Sequence, residues 1–243
     1  MTIFDDLEAE QDRLDGILSS LDDAQWLAGS AASGWSVADV VLHLAQTEEA
    51  VVATMTGGTP ARPPESGLSV DEAMDWLVKS QPAAPAEVFR RWQDARVASV
   101  AALRAADPAV PLRWIEAPLK PATLATTRLA EHWAHALDIT APLGLELPDT
   151  DRLRQIAWLA HRSLVYAFAI GGQEAQPVYC ELTAPDGVEV WSFGPADAQS
   201  RITGPAGAFC RVAAQRLAPD ESGLAAVGPA GAAALRVLRT YAA

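Results

Sequence analysis

The run GWSVADVVLHLAQTEEAVVATM, residues 34–55, decides the architecture of the chain. Ser36 is a good helix N-cap, and Asp39 stands at the N3 position, a relative of the Ser-x-x-Glu capping box. Val37, Val41, Leu44 and Val52 then form an apolar stripe at helical spacing. The segment therefore reads as a long helix with one face committed to a core. His43 flanks that face, beside Ser36, Asp39, Val40, Thr47 and Ala50 on the wheel, and points to the interior of a bundle or its rim.

Moving outward, similar helices surround it. Ile3, Leu7, Leu14, Ile17, Leu18 and Leu21 space a helix over 3–21. The breaker-rich loop 56–67 leads to a shorter helix capped by Ser69. A helix over 86–106 ends before Asp107-Pro108, and a proline-rich loop precedes a helix over 122–140, which Pro142 and Gly144 stop. Four long helices and a short one predict an up-down four-helix bundle over residues 1–147.

The character changes after that. A helix over 150–170 is followed by VYCELTAPDGVEVWSFG, which reads as two strands around an Asp-Gly turn. GPAGAFCRVAAQRL reads as a helix with Pro205 near its first turn, LAAVG as a short strand, and PAGAAALRVLRTYAA as a closing helix. The expected fold class is α+β, with a small α+β domain over 148–243.

Composition excludes several functions. A formal net charge of −13 argues against nucleic acid, whose phosphates need clustered Lys and Arg, and against an anionic membrane surface. Half the residues are hydrophobic, so a sizeable core is expected. No stretch reaches the ~18 uncharged apolar residues of a membrane helix, and the acidic, amphipathic N-terminal run MTIFDDLEAEQDRLDG is unlike a signal peptide. A cytoplasmic protein is expected. Cys180 and Cys210 form no motif pair and read as small buried hydrophobes.

The chemistry concentrates in TTRLAEHWAHALDIT, residues 126–140. On a wheel of ~100° per residue, Thr127, Arg128, Glu131, His135 and Asp138 share one stripe, while Leu129, Ala130, Trp133 and Leu137 fall on the other side. Glu131 and His135 are i,i+4 neighbours, so a carboxylate and an imidazole stack where they can grip one metal ion. Asp138, nearly one turn on, is placed to orient His135 through its other ring nitrogen. The same stripe also describes a solvated helix face. His132 lies off the stripe's centre and reads as a packing or rim residue. His43 offers a third ligand from another helix.

GWSVADVVLHLA followed by TRLAEHWAHALDI resembles the mycothiol-dependent maleylpyruvate isomerase family, metal-binding four-helix bundles of the DinB-like superfamily with an appended α+β domain. The resemblance covers nearly the whole chain. It implies metal ligation by His43, Glu131 and His135. Asp138 and Asp39 are the candidates to stand behind the ligands, although Asp39 reads first as the N3 residue of its cap. Arg128 and Trp133 are the candidate contacts for the thiol cofactor, and Trp133, like Trp35, reads first as a core residue that could also wall the cavity. The resemblance also implies a functional arginine at Arg216, closing the helix that begins Gly-Pro-Ala, although Gln215 replaces the glycine usual before it. Two His and one Glu suit zinc with an open position and equally a 2-His-1-carboxylate iron site; the family points to zinc.

The implied cofactors are that divalent metal and mycothiol, and the implied partners are a small-molecule substrate and a small thiol. The thiolate adds to an electrophilic carbon and then leaves, in an isomerase, or stays, in a transferase. Arg216 grips a substrate carboxylate or stabilises enolate-like charge. An actinobacterial host is compatible with the composition, in which sixteen of the eighteen basic residues are Arg. The loop RWIEAPLKPATLATTR, 113–128, resembles a subgroup apart from the maleylpyruvate isomerases themselves, which disfavours maleylpyruvate as substrate. A metal hydrolase or lyase using activated water, and a non-catalytic metal-binding or stress-response module, are the rival readings on the same scaffold.

Overall fold

The structure is a computed structural model that describes all residues except 1, 59–60, 62, 64–66, 115–116 and 241–243. Parts of the loops expected over 56–67 and 113–121, and the last three residues of the expected closing helix, lie outside the described residues. The chain divides into two compact units, the first running to Leu147 and the second beginning at Pro148.

The first unit is helical: α1 (Ile3–Ser19), α2 (Asp23–Leu27), α3 (Val37–Met55), α4 (Val70–Ser80), α5 (Pro85–Ala105) and α6 (Pro121–Leu143). Local chemistry sets the starts. Ser36 Oγ accepts from Asp39 N at 3.2 Å while Ser36 N donates to Asp39 Oδ2 at 2.8 Å, closing the capping box of α3. Ser69 and Glu72 do the same for α4. Pro85 and Pro121 occupy the first turns of α5 and α6, where a missing N–H costs nothing. Helices α1 and α3 each pack on both α5 and α6. Leu14, Leu18, Val37, Val41, Leu44, Trp92 and Ile139 fill the core between them.

Helix α6 runs past Pro142, the expected stop, and ends at Gly144, which adopts φ +65° and donates to the Thr140 and Ala141 carbonyls. Pro142 has no N–H to give the Asp138 carbonyl four residues back. That carbonyl instead accepts Ala31 N at 2.9 Å, so the loop before α3 is tied to α6 where the proline relaxes the helix. The short helix α2, capped by Asp22, was not anticipated.

The second unit contains α7 (Leu153–Ile170), β1 (Val178–Thr183), β2 (Val190–Phe193), β3 (Ser200–Pro205), α8 (Ala206–Ala213), β4 (Ala225–Val227) and α9 (Gly231–Val237). The sheet order is β2-β1-β3-β4, with β1 antiparallel to β2, parallel to β3, and β3 antiparallel to β4. Asp186 Oδ1 accepts from Val188 N and Glu189 N, and Gly187 sits at φ +75°, so the Asp-Gly turn forms as read. Strand β3 is the element sequence reading overlooked: Arg201, Gly204 and Pro205 disguise a strand whose Ile202 is fully buried against the same core as Cys180, Leu182 and Trp191. Both cysteines are buried and free, and burial pushes the Cys180 thiol up to about 12. No helix among the described residues is long and apolar enough to cross a membrane.

Candidate metal centre

Helices α3 and α6 bring His43, Glu131 and His135 together. One donor atom from each lies within 4.8 Å of the other two, and no other such group of three exists among the described residues. His43 Nε2 is 3.9 Å from Glu131 Oε1, beyond hydrogen-bond reach. The two imidazoles meet edge to face at a centroid distance of 5.0 Å. His43 and His135 are buried, and Glu131 is half-buried.

His135 Nδ1 lies 2.9 Å from Asp138 Oδ2, which leaves Nε2 as the ring's outward donor. This carboxylate–histidine pairing is the usual way a protein fixes the tautomer and direction of a metal-binding imidazole. His43 Nδ1 has no hydrogen-bond partner among the described residues. Packing holds that ring: Trp35 lies 5.1 Å from it and 6.4 Å from His135, centroid to centroid. Trp35 is itself anchored, donating from Nε1 to Asp75 Oδ1 on α4 at 2.9 Å.

The electrostatics suit a cation. Burial lowers the His43 pKa below its ordinary value, against the pull of Glu131, so the ring is neutral and its lone pair available. Burial alone would raise the Glu131 carboxyl, but the His43 ring and the neighbouring His135 and Arg128 together hold it below the usual carboxylate range. A neutral His43 imidazole and an ionised Glu131 carboxylate are donor forms a divalent ion requires. Donors around one tetrahedral ion stand roughly 3.4 Å apart, given bonds of ~2.0–2.2 Å, and these three lie within 4.8 Å of one another, somewhat wider than a bound ion would hold them. The residues fit the metal that the sequence resemblance implies.

Other expected site residues fall elsewhere. Arg128, the expected cofactor contact, is 3% exposed, and its guanidinium is engaged within the bundle, donating from Nε to Glu48 Oε1 at 2.7 Å and from Nη2 to Thr47 Oγ1 at 2.6 Å. Trp133 is 2% exposed and part of the core, the role read first for it. Asp39 takes the capping role read first for it. Its carboxylate accepts from Ser36 N and Ser36 Oγ, which consumes it in the cap. His132 is fully buried packing: its Nδ1 meets Arg128 O at 2.8 Å and its Nε2 accepts from Trp92 Nε1 at 3.2 Å. Burial pushes its pKa down to about 4, opposed by the charge of Glu48.

Arg216 lies in the second unit just beyond α8, half-buried, with its Nη1 donating to Ala214 O at 2.7 Å. Gln215 before it adopts φ +61°, the left-handed conformation that favours glycine. Its side chain donates to Leu238 O at 2.9 Å, an anchor that glycine would lack. Sequence reading passed over Glu48 and Asp75. The only local hint was Thr47-Glu48 lying one turn beyond His43.

A profile described as the mycothiol maleylpyruvate isomerase N-terminal domain matches residues 7–140, a span that holds His43, Glu131 and His135. The chain belongs to the mycothiol maleylpyruvate isomerase family. Two uncharacterized proteins from strains of Mycobacterium tuberculosis are 36% identical over 234 residues, covering 92% of this chain and 88% of theirs. A crystal structure of the mycothiol-dependent maleylpyruvate isomerase superimposes with a TM-score of 0.64 at 17% identity, covering 92% of this chain and 91% of that one. A mutant of that enzyme gives 0.63 at 16%. At that identity the likeness establishes the family's fold, α+β with a helical N-terminal domain, and no more.

Proposed function

We propose that this member of the family is a cytoplasmic, mycothiol-dependent metalloenzyme that isomerises, or transfers a thiol to, a small electrophilic molecule such as an unsaturated carbonyl or carboxylate. The observation that carries the reading is the convergence of His43, Glu131 and His135 donors within 4.8 Å, with Asp138 behind His135. A divalent cation held there, zinc by analogy with the family, supplies Lewis acidity that keeps a thiol ionised at neutral pH, where a free thiol of pKa ~8.5 is only a few per cent thiolate.

The chain's own residues set the conditions for that chemistry. Three protein donors leave a fourth position open to an exogenous ligand. Asp138 holds His135 in the tautomer that presents Nε2. Trp35, pinned by Asp75, covers one side of the two imidazoles and limits the access of water. Arg216 is the proposed partner of a substrate carboxylate, where a guanidinium offers two parallel donors. The loop 113–128 resembles a subgroup apart from the maleylpyruvate isomerases, so the proposed substrate is another electrophile of that class.

A panel of α,β-unsaturated carboxylates and ketones, assayed with and without mycothiol, tests the reading. Turnover is expected only with the thiol, and His135→Ala abolishes it. Turnover that ignores the thiol but still needs His135 would replace this reading with hydrolysis.

A further inference from the structure

Helix α3 and helix α6 are also joined through Arg128, which bonds both Thr47 and Glu48. Thr47 follows His43 by one turn on α3, and Arg128 precedes Glu131 by nearly one turn on α6. The Arg128–Thr47 bond, 2.6 Å, therefore spans the same seam as the His43–Glu131 approach, one turn further along. Glu48, next to Thr47, takes Arg128 Nε at 2.7 Å on one oxygen and Ser99 Oγ of α5 on the other. Thr47 Oγ1 also donates to the His43 carbonyl at 3.0 Å, so Arg128 is linked through one hydroxyl to the backbone of a metal ligand.

We infer that Glu48 and Arg128, with Thr47 and Ser99, form a positioning lock that sets α3 against α6 in the register that places His43 opposite Glu131 and His135. The inference rests on the metal-centre reading above. Glu48 is 0% and Arg128 3% exposed, so neither side chain is open to a substrate or thiol. Stability does not account for the pair either. Replacing a buried ion pair by apolar residues of similar volume is often neutral or stabilising, and the best-attested use of such pairs is to fix a unique register. Apolar side chains can slide past one another, whereas a forked guanidinium with a carboxylate on one arm and a hydroxyl on the other fits one alignment only. An axial slip of the two helices would misalign the ligands while the apolar core could still form.

Cobalt(II) titration of the untagged full-length chain after chelation, followed by visible absorption and paired with thermal melting, tests this. Removing one partner strands a buried charge, so the informative variant is the double replacement Glu48→Leu with Arg128→Met. It is expected to melt cooperatively near the wild-type temperature yet bind cobalt about 10-fold or more weakly, with an altered spectrum, the scale seen when residues behind metal ligands are changed. Thr47→Val, which removes one hydroxyl and keeps the shape, gives a smaller loss and a shifted spectrum. Folded variants with wild-type affinity and spectrum overturn the lock. If the double variant does not fold, Thr47→Val decides by the same criterion. A wild-type chain that binds no cobalt overturns the metal-centre reading itself, and the lock with it. A wild type that binds cobalt while the folded variants match it overturns the lock alone.

Discussion

Asp138 shows how much one side chain carries. Its carboxylate fixes His135 at 2.9 Å, and its carbonyl receives the loop that bears Trp35. Asp138→Asn keeps the size but loses the charge and can present an N–H to the ring, so metal affinity is expected to fall by about 10- to 100-fold in chelator competition, with the fold intact. His132 makes a prediction about pH. Its ordinary pKa of 6.5 in the unfolded chain drops to about 4 in the core, so between those values the unfolded chain binds the extra proton. Stability conferred by neutral His132 is full above pH 6.5 and is lost as pH falls toward 4, by at most about 3 kcal/mol. Urea denaturation at several pH values checks this: His132→Gln should flatten the slope across that window. Gly207 is explained by space. A Cβ there would stand 1.9 Å from Asp149 Oδ2 and 2.7 Å from Arg211 Nη1, splitting a two-bond ion pair. Gly207→Ala should displace this partly exposed pair and leave stability within about 1 kcal/mol of wild type in urea denaturation, the lost pair offsetting alanine's better helix propensity.

At the scale of elements, what sequence shows is what local chemistry decides. Ser36 and Ser69 announce α3 and α4 because a cap is a contact over three residues. Ser36→Ala should lower stability by about 1 kcal/mol in thermal or urea melts, because one orphan N–H loses its acceptor. The hairpin of β1 and β2 is equally local, written in Asp186-Gly187. Strand β3 escapes notice because its strandedness comes from being flanked by β1 and β4, not from its own residues. Helix α2, five residues long, is too short for periodicity to register. Pro142 misleads for a related reason: its cost to α6 is offset by Ala31, more than a hundred residues earlier. At the metal centre, the i,i+4 pair Glu131 and His135 was visible along one helix. The partnership of Arg128 with Glu48 was not, since eighty positions separate them and a wheel shows one helix at a time. The same limit hides the enclosure of Arg128, whose side-chain partners lie on another helix, whereas the buried place of Trp133 was legible from the apolar side of its own helix.

Across the whole molecule, a net charge of −13 surrounds the proposed metal centre of His43, Glu131 and His135, so the field of the chain as a whole would favour a cation there. An ion that binds only the folded chain stabilises it by mass action, about 2.7 kcal/mol at a concentration 100 times its Kd. Chelation is therefore expected to lower the melting temperature of wild type and to leave that of His43→Ala unmoved. The most direct measurement is elemental analysis of the untagged protein, wild type beside His43→Ala and His135→Ala. The expected result is one divalent ion per wild-type chain and a clear loss in both variants, each still folded by circular dichroism. Metal-free wild-type protein that binds no added zinc, or variants that retain a full equivalent, would contradict it.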